Sequence, residues 1–226
     1  MIDLTAAANF ASSSLASLSD PAKAADMARY MKTDMPFYGV QKAGRGPICR
    51  QLIRRWPPAT RSEYTALVRK LWALPHREER YLALGVARAH SRFVTLSSTP
   101  LYRRLIVEGA WWDLVDEAAT KLAGTVLLHQ RDAMTPTIVK WLDHQSLWLR
   151  RAAIISQVGH KKDTDADLLF LGCSSRAHET DFFIRKAIGW ALRDYAWTAP
   201  DAVGDFVRSH QHELSGLSKR EATKNL

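Results

Sequence analysis

The chain has 226 residues, 46% of them hydrophobic, enough to build one large domain or two small ones around a sizeable core. Lys and Arg number 32 against 23 Asp and Glu, and this net charge of +9 suits nucleic acid, an acidic protein partner or an anionic membrane surface. No stretch approaches the roughly 18 apolar residues of a membrane span, and the start lacks the basic n-region of a signal peptide, so the cell interior is expected. Cys49 and Cys173 lie far apart with no partner motif and read as buried thiols rather than a disulfide framework.

Residues 2–18 are predicted as a weakly amphipathic helix with Leu4, Phe10, Leu15 and Leu18 apolar. Asp20-Pro21 reads as an N-cap followed by proline in the first turn, opening a second helix through Met27–Met31. Residues 34–47 read as the one long Gly/Pro-rich loop, carrying Lys42 and Arg45 near backbone that a ligand can approach closely. From Ile48 onward the helical period rarely lapses. Trp56-Pro57-Pro58, Leu74-Pro75, Thr99-Pro100, Thr135-Pro136 and Ala199-Pro200 punctuate it, and alternating strand patterns are absent. The expected class is all-α, with residues 1–226 forming a single domain.

The central stretch is Ala110–Asp116. At about 100° per residue, Trp111, Leu114, Val115, Ala118 and Leu122 form one apolar stripe, while Trp112 and Asp116, four apart, share a different face. One reading is an amphipathic helix with a stray indole at its edge. The other is an indole and a carboxylate set side by side for a ligand, and the eight tryptophans favour sugars, bases or cations as that ligand.

The helices recur. Trp148–Ala153 and Phe183–Ile188 align residue for residue, 35 positions apart, and Trp111 lies 37 before Trp148. Such a period, with two helices per unit, is that of a HEAT- or armadillo-like α-solenoid with a concave, here basic, face; a general α-bundle is the alternative. Basic residues come as doublets, among them Arg150-Arg151, Lys161-Lys162, Arg185-Lys186 and Lys219-Arg220. Arg150-Arg151 and Arg185-Lys186 hold the same place in successive repeats, so stacking sets them in a stripe suited to phosphates. Arg151 borders the apolar stripe, either as a preorganised phosphate fork or as a snorkelling edge residue. Trp190 stands between Lys186 and Arg193 on one helical face, or else packs in a core. The closest histidine pair, His210 and His212, lacks zinc-ligand spacing, and no metal site is expected.

These residues resemble the bacterial alkylpurine DNA glycosylases of the AlkD type, built from HEAT-like repeats. The resemblance runs from about Met27 to Arg220 and rests on Ala28–Lys32, Trp111–Asp116, Trp148–Ala153, Lys186–Trp190 and Leu217–Ala222. It implies that Asp116, rather than Asp113, is the catalytic carboxylate. It further implies that Trp112 and Trp190 are cleft tryptophans, that Arg151 grips a phosphate and that Tyr30 lines the cleft. The implied activity is removal of cationic N3- or N7-alkylated purines from double-stranded DNA without drawing the base into a pocket, unlike most glycosylases. A cationic base leaves as a neutral molecule, so the demanding step is stabilising positive charge on the sugar, which a carboxylate and ring faces can do without metal or nucleotide cofactor. The sequence departs from the family pattern at Gln41–Pro47, which is longer and richer in glycine, and at Gly159, where some members carry lysine. The expected protein is a bacterial, cytoplasmic monomer that meets the nucleoid through DNA, with Lys42, Arg45, Arg150, Lys161, Lys162, Lys186, Arg193, Lys219 and Arg220 as further DNA contacts. The competing expectations are a non-catalytic repeat protein for damaged or branched DNA and a protein-binding scaffold.

Overall fold

The computed structural model describes residues 2–226. The protein is all-helical, with no strand among the described residues, and its helices group into two compact units, the first ending at Val94 and the second covering Thr95–Leu226.

In the first unit, α1 (Leu4–Ala16), α3 (Lys42–Arg55), α4 (Arg61–Trp72) and α5 (Arg77–Ala89) pack around Leu15, Leu52, Tyr64, Leu67, Leu71 and Leu82, all essentially free of solvent contact. Helix α2 (Pro21–Met31) begins as its sequence announces, with the Asp20 carboxylate accepting the Lys23 amide at 3.1 Å and proline in the first turn, yet it has no buried residue. Its foot is tied down by Gly39, whose φ of +86° and contact with the Asp20 carbonyl leave no room for a Cβ, and by the Asp20 amide donating to Tyr38 O at 2.8 Å. Buried Glu78 satisfies the amides of Tyr38, Gly39 and Val40 at 2.9–3.1 Å, fixing a segment that has no ladder of its own.

Three expectations are corrected. Residues 42–47 are not loop but the start of α3, and Thr135-Pro136 is not a boundary but lies inside α9 (Arg131–Leu142). Both prolines hold the sixth position of their helix. The bond each forfeits is to a first-turn carbonyl, Ala43 or Asp132, at the end where the backbone tilts away most easily. Leu18, read as part of the first apolar face, follows the end of α1 and is exposed.

The second unit stacks helix pairs. Its first inner stretch runs from α6 (Thr99–Gly109) through α7 (Trp112–Glu117), a π-helical turn over Ala118–Ala123, and α8 (Gly124–His129). Then α9 packs on α10 (Leu147–Ile155), α10 on α12 (Phe182–Ala196), and α12 on both α13 (Pro200–Ser209) and α14 (Gly216–Ala222), with α11 (Ala166–Ser175) lying against α10 and α12. Side chains bond carbonyls on either side of the π turn. Thr120 donates its hydroxyl to Asp116 O at 2.8 Å, and His160 donates Nε2–H to Gly124 O at 3.0 Å. No helix among the described residues is long and apolar enough to cross a membrane.

Candidate active site

Leu114, Val115, Ala118 and Leu122 are fully buried, as the stripe predicts, and they fix the rotation of the helix that carries Asp116, whereas Trp111 is a half-buried, extended N-cap and not part of the helix. Trp112 and Asp116, one turn apart, fall at the half-buried margin of that core. Asp116 is reached from the next repeat. Arg151 on α10 donates Nε to Oδ1 and Nη2 to Oδ2, each at 2.8 Å, and Nη1 to the Phe183 carbonyl of α12 at 2.6 Å. The arginine does not snorkel, since it is 5% exposed. Three of the five N–H bonds of a guanidinium are thereby used, leaving two, and each Asp116 oxygen keeps a lone pair beyond the one Arg151 takes.

Burial pushes the Asp116 carboxyl above the ordinary aspartate range, the Arg151 hydrogen bonds and charge pull against that shift, and neighbouring Asp113 adds to it. The result is a carboxylate held in one orientation by a bidentate fork and poised to take a proton more readily than a solvated aspartate.

Behind the pair stands a wall of rings. Trp111, Trp148 and Phe183 hold equivalent places in three successive repeats, and their centroids lie 5.9 Å (Trp111–Trp148), 5.2 Å (Trp111–Phe183) and 4.9 Å (Trp148–Phe183) apart. The recurrence seen in the sequence is thus a contact in space, and the Arg151 guanidinium carbon lies 5.9 Å from the Phe183 ring. Trp190, half-buried, sits two turns after Phe183 on the same side of α12.

The other expected contacts divide by what already holds them. Arg150 makes a bidentate pair with Glu179 at 2.9 Å and caps the carbonyls of His144 and Gln145 at 2.8 and 2.9 Å, so its guanidinium is largely committed to the protein itself. Lys186 and Arg193 share Glu221 of α14, at 3.2 and 2.5 Å, and Lys224 joins them at 2.7 Å. Hydrogen bonding from Lys224, then from Lys186, holds the Glu221 carboxyl down to about 2 despite its burial. Lys219 donates to Gln211 O at 2.9 Å, and Arg220 is exposed. Lys161 and Lys162 are exposed on a turn that His160 and the Gly159 amide, bonded to Asp194 at 2.7 Å, fasten to the helices. In the first unit Tyr30 is 72% exposed and Lys42 is exposed, while Arg45 bonds Val40 O at 3.0 Å and lies 4.2 Å over the Tyr81 ring. Among the described residues no three His, Cys, Asp or Glu side chains group as metal ligands.

Sequence reasoning missed Phe183, Glu179 and Glu221. The repeat alignment held the signal for Phe183, because it places that residue opposite Trp111 and Trp148. Glu179 and Glu221 pair locally with Arg176 and Lys224, but their links to Arg150, Lys186 and Arg193 span 28–35 positions and leave no local mark.

These features define a class: a helical-repeat protein that holds a carboxylate against an arginine beside a wall of aromatic rings. The chain belongs to the DNA alkylation repair enzyme family, whose pattern matches residues 11–226. It is 30% identical to a protein of Enterococcus faecalis described as a predicted DNA alkylation repair enzyme; the match covers 92% of this chain and 96% of that one at a TM-score of 0.83. A Streptococcus mutans UA159 protein, 16% identical, shares the fold over 78% of this chain and 90% of its own at a TM-score of 0.60. No match was found among curated proteins. Membership of the family supports a role in DNA repair, as an enzyme with DNA as its substrate.

Proposed function

We propose that the protein is a monofunctional DNA glycosylase, acting as a monomer on cationic N3- or N7-alkylated purines in double-stranded DNA. One observation carries this reading: the Asp116 carboxylate, oriented by Arg151 at 2.8 Å on both oxygens, one helical turn from Trp112. In the reaction, the bond between C1′ and the alkylated base breaks with its electron pair passing to the base, which leaves neutral. Positive charge develops on the sugar, and the ionised Asp116 stabilises it at low local dielectric. Water then adds to C1′ and loses its proton to Asp116, leaving an abasic deoxyribose and the free purine. Trp112 and Trp190 hold the deoxyribose and offer their ring faces to its positive charge. Because the base leaves as a neutral molecule, it needs no acid of its own, and the lesion stays outside any enclosing pocket. Arg151 acts as the positioning residue for Asp116, with its two spare N–H bonds directed to the nearby backbone phosphate. Lys161, Lys162 and Arg220 supply the exposed cationic surface.

A second reading, a DNA-binding protein without catalysis, is favoured by one observation: both Asp116 oxygens are already engaged, as in a purely structural ion pair. A base-release assay separates the two. Wild-type protein is expected to free 7-methylguanine or 3-methyladenine from methylated duplex DNA, and Asp116→Asn to lose most of that release. Equal release by both proteins would remove Asp116 from the reaction.

A further inference from the structure

Trp197 is 78% exposed, and among the described residues its ring has no stacking or hydrogen-bonding partner. It caps α12 in helical conformation, φ −63° and ψ −22°, and the turn beyond is locked by the amides of Thr198 and Ala199, which both donate to Tyr195 O at 2.8 and 2.9 Å. The indole is therefore carried on a fixed platform.

Its position along α12 gives it meaning. Taking Lys186 as origin, Trp190, Arg193 and Trp197 fall at about +40°, −20° and +20°, one narrow stripe running the length of the helix. Most of the buried side of α12, on Ile184, Ala187, Ile188, Ala191 and Leu192, lies away from the stripe, while buried Gly189 and Ala196 flank it where α14 packs. Spacings of four, three and four ordinarily mark the buried seam of a helix. Here they carry a cation, an indole, a cation and an indole, the first three half-exposed and the last open to solvent. Glu221 beneath the stripe holds Lys186 and Arg193 at 3.2 and 2.5 Å, so the cations stand in fixed register with the rings. Asp194, the acid nearest this end, is taken up by the Gly159 amide at 2.7 Å. Alternating fixed cations and ring faces is the chemistry of a nucleic-acid track, in which phosphates meet the charges while sugars or bases meet the rings.

We infer that Trp197 is a further DNA-gripping indole, contacting the strand beyond the lesion rather than the lesion itself. Seven residues of helix separate it from Trp190 by about 10.5 Å, which is about three nucleotides at the 3.4 Å spacing of a DNA strand. This inference rests on the proposed glycosylase reading, in which Trp190 meets the damaged nucleotide.

The test measures the affinity of the full chain for duplexes carrying a central tetrahydrofuran abasic-site analogue, with either flank trimmed in turn. On a duplex with long flanks, Trp197→Ala is expected to bind about tenfold more weakly than wild type, and Trp197→Phe to recover most of the loss. Trimming one flank to two base pairs is expected to abolish the difference between wild type and Trp197→Ala, and trimming the other to preserve it. Equal binding by wild type and Trp197→Ala on every duplex overturns the inference and turns the exposed indole toward a protein surface instead. A loss that is the same at every length overturns it too, by making the residue structural. In both of these cases wild-type base release from methylated DNA is untouched and the glycosylase reading stands. A wild-type protein that neither binds these duplexes nor releases base brings down both.

Discussion

Asp116 illustrates how one residue's chemistry is set by another residue 35 positions away. Removing Arg151 leaves a half-buried carboxylate with no counter-charge, and breaking a buried pair in this way costs about 3–5 kcal/mol. Arg151→Gln is therefore expected to lower stability by that order in urea unfolding. The same change removes the pull that opposes burial, so the Asp116 pKa rises further. In the proposed reaction Asp116 acts in its ionised form, so base release corrected for spontaneous depurination should fall on acidification with a midpoint above the ordinary aspartate value. In Arg151→Gln that midpoint should move to higher pH, and an unmoved acid limb would mean that another group titrates. Stability follows a different residue. A raised carboxyl such as Asp116 favours the folded state more as pH falls, so it does not drive acid unfolding. Glu221 is depressed to about 2, and its contribution is present above the ordinary glutamate pKa of 4.5 and is lost as pH drops from there toward 2. Glu221→Gln should be less stable than wild type at neutral pH and show a flatter pH dependence across that window in chemical denaturation. The pairing of Trp112 with Asp116 was legible because four residues make one turn. The fork from Arg151 was not, because it depends on how two repeats register against each other.

At the scale of helices, close backbone approach decides which substitutions the fold accepts. A Cβ on Gly124 would lie 2.2 Å from the Ser156 carbonyl oxygen, and one on Gly189 would lie 2.4 Å from the Glu221 Cβ and 3.0 Å from Ser218 O. Backbone cannot step aside as a side-chain tip can, so Gly124→Ala is expected to destabilise by about 3 kcal/mol, read as a lowered urea midpoint at unchanged slope. The all-helical class was legible from the period, the cap at Asp20 and the start at Pro21 from that residue pair, and Pro100 and Pro200, which prove to open helices, only as breaks in the period. Pro47 and Pro136 misled because a proline's identity does not reveal its depth in a helix. The glycines at 44 and 46 misled with Pro47, since they lie within α3, where Gly44 serves packing: a Cβ there would lie 2.8 Å from a Val40 methyl. The π turn after Glu117 left no mark that periodicity could detect. It shifts the stripe by only one residue, and the carbonyls flanking it are bonded by Thr120 and by a histidine 36 positions from its partner.

For the molecule as a whole, the net charge of +9 makes a prediction that separates a DNA enzyme from a protein-binding scaffold. DNA affinity should fall steeply and linearly on a log–log plot against salt, each phosphate contact adding about 0.9 to the slope. A nearly flat plot would favour the scaffold. Composition foretold that charge but not its disposition, for Arg150, Lys186 and Arg193 prove to be anchored to acids. Mutating Arg150 should consequently weaken folding more than it weakens the salt slope.

The fork that orients Asp116 comes from a different layer of helices than the acid itself, and it is steadied by a carbonyl from a third. Competence is for that reason a property of stacking. Where that third layer frays, Arg151 loses the Phe183 carbonyl that steadies its fork, and Trp190, carried on the same helix, leaves its place. In the proposed reaction, a chain with those last helices unfolded should therefore release no base.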